Sequence, residues 1–157
     1  MSKETVTISG TAHEIDVKPI TIVCKSPKIL DKIEYHPERV RLEPEVVVYH
    51  AERVQMFHHR TAELVAYVFE LEDSTLVTPD WCRSKGREVL QVAGLIDMSL
   101  KLFSKGVPCV WVEPESGLHP RHQCQLADVL IQLMQTPVKT SVEEMVDEML
   151  PDCDIET

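Results

Sequence analysis

The chain is expected to be an α/β protein: three layers around a mostly parallel sheet in residues 45–135, with an antiparallel β extension before it. Three observations predict this. Residues 74–133 alternate short strand-like runs with long apolar-periodic runs: Ser74–Thr78, a helix, Val107–Val112, a second helix. Residues 1–45 show period-2 alternation in short pieces, the mark of strands with one wet and one buried face. Pro27, Pro37 and Pro44 punctuate these pieces. An α+β arrangement is the alternative.

The elements follow in order. Thr5–Ile8, Pro19–Cys24, Lys32–His36 and Arg39–Leu42 read as extended segments forming hairpins or sheet edges. Glu45–His50 is a continuous apolar run with polar ends and suits a strand covered on both faces. A helix is expected over about 52–70, where Val54, Phe57, Leu64, Val65, Val68 and Leu71 fall near a 3.6-residue repeat. Its weak point is Met56-Phe-His-His59. Ser74–Thr78 is the next strand.

Thr78-Pro79-Asp80 then signals a helix start, with Gly86 weakening the first turn so that the regular helix begins near Ser84. From Val89 to Phe103 apolar residues cover most of the circumference, which predicts burial on more than one side. Asp97 sits within that run. If buried it needs a partner; otherwise it marks the one wet stripe. Lys105-Gly106 and Pro108 stop the helix. Val107–Val112 is the clearest strand, Glu113–Gly117 a turn, and Pro120 opens a helix ending before Pro137. Ser141-x-x-Glu144 has the capping-box pattern, and Val142, Met145, Val146, Met149 and Leu150 stripe the helix it would start.

At 157 residues one domain is expected, spanning 1–140, with 141–157 an acidic helix and frayed tail. The formal charge is -10, and 141–157 carries seven acidic residues and no Lys or Arg. The rest is nearly balanced, with 16 basic and 19 acidic side chains. General duplex binding, which needs a basic footprint, is not expected. No apolar run reaches the ~18–20 residues of a membrane span, and the first residues lack a signal-peptide pattern, so the expected location is cytoplasmic. Five widely spaced cysteines fit reduced thiols better than a disulfide framework.

If the strands near 46–50, 74–78 and 107–112 run parallel, their carboxyl ends form one ligand-binding edge where two polar loops meet. The first is 78–87. Asp80, Arg83, Ser84, Lys85 and Arg87 around Gly86 would hold an anion at a helix start. It lacks the phosphate-loop and dinucleotide spacings. The second is 113–124, with Glu113, Glu115, His119, Arg121, His122 and Cys124. His119 or His122 would move a proton, Glu113 would orient it or act as base, and Cys124 near Arg121 would be a nucleophile. The simpler reading packs Cys124 on the buried helix face and leaves the histidines capping or solvating the turn. His119, His122, Cys124 and Cys82 match no metal-ligand spacing, and no cofactor is indicated.

Two functions follow. The first is a non-catalytic intracellular protein, regulatory in character, that binds a protein partner or itself through 141–150. The second is a small α/β enzyme or sensor for an anionic ligand, a nucleotide or phosphorylated metabolite, held between 78–87 and 113–124.

Overall fold

Helix α4, Arg87–Ser104, is the element on which the others pack. Every residue from Leu90 to Phe103 is buried, as the near-continuous apolar circumference requires. Around it lie α1 (Pro44–Arg53), α2 (Thr61–Val68), α3 (Pro79–Lys85) and α5 (Pro120–Met134). The computed structural model describes residues 3–8, 11–16, 20–25 and 40–135. The expected strand at 32–36 and the helix and tail at 141–157 lie outside them.

Among the described residues, five strands accompany the helices. β1 (Lys3–Ile8) and β2 (Thr11–Asp16) pair antiparallel, from Lys3 opposite Asp16 to Ile8 opposite Thr11. The second sheet has three parallel strands in the order β3 (Ile20–Val23), β5 (Cys109–Val112), β4 (Val40–Leu42). Its register sets Ile22 and Leu42 on either side of Trp111. All three are fully buried and share one core with Leu95, Ile96 and Met98 of α4 and Leu126 and Leu130 of α5. The fold is therefore mixed α/β with a parallel sheet. Among the described residues no helix is long and apolar enough to cross a membrane.

The sheet draws its partners from an unexpected place. Of the three strands expected to run parallel, only β5 forms. Residues 46–50 are helical, inside α1. Glu43 is extended, Pro44 stands in the first turn and Glu45 follows, which is a helix start. The β-branched Val46-Val47-Val48 yields to tertiary packing: Val47, Val48 and Ala51 bury against α4, where Gly94 lets the backbones approach. A Cβ at Gly94 would stand 2.5 Å from the Val47 carbonyl oxygen. Residues 74–78 form a single 3-10 turn, Ser74–Leu76, capped by the Asp73 carboxylate accepting from the Thr75 N–H at 2.9 Å. β3 and β4, expected in the antiparallel extension, supply the missing strands.

The helix expected over 52–70 is two helices, parted at the Met56–His59 weak point. Asp97 explains how that break is held. It is fully buried and accepts from the His58 N–H at 2.6 Å and the Thr61 hydroxyl at 2.7 Å, and it pairs with Lys101 at 2.8 Å. The first turn of α2 is thus tied to the middle of α4. The single helix expected after Thr78-Pro79, regular from near Ser84, is instead two helices, with Ser84 inside the first. The Thr78 hydroxyl caps α3, and Gly86 at φ 112 ends α3 and starts α4.

Candidate functional site

The carboxyl ends of the three parallel strands, at Val23, Leu42 and Val112, lie along one edge. A cleft of about 590 Å³ opens there. Four pieces of chain line it: Arg41 and Glu43 leaving β4, Pro44 and Glu45 opening α1, Arg87, Glu88 and Gln91 opening α4, and Val112, Glu113, Ser116 and Gly117 leaving β5. Neither helix start carries a side-chain cap, Glu43 and Gly86 making none. Both therefore bring amide groups and the positive ends of their dipoles to the cleft.

The loop after β5 is fixed in place. The Gln91 amide donates to the carbonyls of Pro114 at 2.6 Å and Ser116 at 2.9 Å. Glu113 bends the chain at φ 49, in the left-handed region unusual for a residue with a side chain, and its N–H donates to the Val23 carbonyl. The cleft is polar and charged. Four carboxylates (Glu43, Glu45, Glu88, Glu113) face two guanidiniums (Arg41, Arg87), and Arg87 pairs with Glu45 at 3.2 Å.

At the rim, Glu88 joins α4 to α5. Its Oε2 accepts the His119 N–H at 2.8 Å and lies 2.7 Å from His122 Nδ1. Burial alone would raise the Glu88 pKa. The hydrogen bonds from His122 and the His119 amide, with the charges of both imidazoles, more than offset this and hold the carboxyl below its usual value. His119 caps α5, its Nδ1 accepting from the Arg121 N–H at 3.2 Å.

The site residues expected from sequence divide into two groups. Arg87 and Glu113 reach the cleft, and His119 and His122 flank it through Glu88. The others are engaged elsewhere. Arg83 donates to the carbonyls of Val54 at 2.8 Å and Glu52 at 3.2 Å, closing the end of α1, and pairs with Asp80. The Ser84 hydroxyl donates to the Trp81 carbonyl at 2.6 Å, and Lys85 lies over the Trp81 ring, 5.4 Å from its centroid. Arg121 pairs with Glu70 of the α2 C-terminal turn at 2.9 Å. Cys124 is exposed rather than packed on the buried face of α5. Cys82 is fully buried, and desolvation pushes its thiol up to about 12, which makes it inert at neutral pH. Among the described residues no group of three or more His, Cys, Asp or Glu stands together as a metal site.

Sequence reasoning missed Arg41, Glu43, Glu45, Glu88 and Gln91. Reading 45–50 as a strand hid the first three, although Glu43-Pro44-Glu45 carries a helix-start signature. No local signal connects Glu88 with His122, 34 residues away. No family model, curated protein or solved structure matches the chain.

Proposed function

We propose that the protein is a small-ligand-binding α/β module, an enzyme or sensor, whose ligand sits in the cleft at the carboxyl edge of its parallel sheet. The observation that carries this reading is the convergence of two uncapped helix starts with Arg41 and Arg87 on a cleft of about 590 Å³. That volume falls in the usual range for small-molecule sites. The edge is where open parallel sheets bind ligands.

The lining suggests the ligand's chemistry. Helix starts and guanidiniums suit a phosphate or carboxylate. The carboxylates of Glu43 and Glu113 suit hydroxyl or amino groups as donors. A sugar phosphate or nucleotide carries both. His122, hydrogen-bonded to Glu88, is the group best arranged to move a proton if a reaction occurs there.

A thermal-shift screen with sugar phosphates and nucleotides at millimolar concentration tests this. Binding with the ligand at about 100 times its Kd stabilises by about 2.7 kcal/mol, an easily read rise in Tm. Arg87→Ala should abolish the rise, whereas Lys85→Ala, away from the cleft, should keep it. A flat response across all phosphorylated compounds would count decisively against the reading.

A second reading rests on the sequence of 141–157 alone: a non-catalytic protein that binds a partner or itself through the acidic, apolar-striped 141–150. Removing 140–157 would abolish partner capture or self-association if this is right, and would change neither if it is wrong. A cytoplasmic setting belongs to both readings, supported by the free thiols of Cys82 and Cys124.

A further inference from the structure

Three elements meet at one carboxylate. Glu88, in the first turn of α4, holds the first turn of α5 twice, through the His119 amide and the His122 ring. The His122 ring packs edge-on against Phe69 at the end of α2, centroids 4.5 Å apart, and lies 5.8 Å from the His119 ring. The Glu88–His122 contact is an ion pair when the imidazole is protonated. When it is not, a weaker hydrogen bond from a neutral donor remains. The surrounding charges are Arg87, paired with Glu45 of α1; Arg121, paired with Glu70; His119; and Glu113 and Arg41, which share the cleft lining with Glu88. The arginine–glutamate pairs keep their charges through the neutral range, whereas imidazoles do not.

We propose that Glu88 and His122 form a proton-dependent latch at the rim of the cleft, which clasps the first turns of α4 and α5 when the imidazole is charged and loosens when it is neutral. The carboxylate half keeps its charge whichever form the imidazole takes, because its pKa lies below the usual value. The sign follows directly. The ion-pair contribution is present while the imidazole is charged and is lost as rising pH takes its proton. The cleft changes with it, since Glu88 also lines the cleft. Its negative charge is balanced when the imidazole is charged and unbalanced when it is neutral. Resting on the ligand-binding reading, an anion should therefore bind more tightly at the lower pH.

A double-mutant cycle with Glu88→Gln, His122→Gln and the double variant tests the latch without any ligand. Urea unfolding at about pH 5.5 and about pH 8 brackets the histidine range. The expected coupling is about two-fold in the unfolding constant at the lower pH, falling toward unity at the higher. Equal coupling at both pH values, or none at either, overturns the latch. Sulfate, whose charge is constant over this range, reads the cleft separately by calorimetry. Tighter binding at the lower pH that disappears in Glu88→Gln supports the link to the cleft. A pH dependence unchanged in that variant overturns the link. No sulfate binding at either pH sinks the ligand reading, while the cycle still decides the latch.

Discussion

The middle of α4 and its first turn each carry a carboxylate, and the two do opposite work. Asp97 is sealed in the core, hydrogen-bonded to the start of α2 and paired with Lys101. Glu88 stands at the cleft, its side chain 34% exposed, with partners that include a titratable ring. Desolvation makes a buried carboxylate intolerant of losing any partner, so Asp97 serves only to fix one arrangement. Water at the rim lowers the stakes for Glu88, and its partners can change charge without unfolding the chain. Within one helix, depth separates a structural charge from an adjustable one.

The strongest way to break that contrast is Asp97→Ala. It removes the buried carboxylate that accepts from the Thr61 hydroxyl and the His58 amide and pairs with Lys101, with an expected loss of about 3–5 kcal/mol by urea unfolding. A loss under about 1 kcal/mol would show that depth is not what distinguishes the two carboxylates. Next comes Gly94→Ala. The added methyl would press on the Val47 carbonyl and the Val47 and Ala51 side chains. Overpacking costs about 1–3 kcal/mol, partly offset by the ~1 kcal/mol that alanine gains over glycine in a helix, and thermal unfolding should show a net loss.

Arg83→Ala removes hydrogen bonds to two carbonyls at the end of α1, worth about 1 kcal/mol, and should leave ligand responses intact. Unchanged stability with a lost ligand response would return Arg83 to the cleft. The smallest effect is at acid pH. Because its pKa is lowered by folding, Glu88 contributes stability that is complete above the ordinary glutamate value, about 4.3, and lost as pH falls through the lower folded value. Glu88→Gln should flatten that part of the stability profile by at most about 0.5 kcal/mol, a figure reduced for solvent screening. A flattening above about 1 kcal/mol would make the rim carboxylate as structural as the buried one.

Local chemistry made the second half of the chain legible. Thr78-Pro79 starts α3, Gly106 with Pro108 ends α4, and Pro120 opens α5, each through an effect confined to a few residues. The strand at Val107–Val112 announced itself in the same way. Val46-Val47-Val48 misled, because its β-branched residues suit a strand while Gly94, far along the chain, makes room for a helix. Parallel pairing was invisible for a related reason: Ile22 and Trp111 meet from opposite ends of the sequence. The site was legible where loop position alone decided it, at Arg87 and Glu113. It was illegible where a partner decided it. Arg83 looks like an anion ligand until the α1 carbonyls claim it, and Glu88 looks like an ordinary first-turn acid until His122 arrives beside it.

The order β3-β5-β4 has a consequence for how the chain becomes folded. The central strand is the last of the three to be synthesised, separated from β4 by four helices. Until residues 109–112 emerge, Ile20–Val23 and Val40–Leu42 lack the partner that both of them use in the finished sheet. The helices can form and associate early through nearby contacts, whereas the parallel sheet must wait for a long loop closure, from Ile20 to Cys109. A nascent chain halted before Cys109 would thus hold helices and the β1–β2 pair without the parallel sheet, and the cleft, whose walls include the exit of β5, would be among the final features to appear.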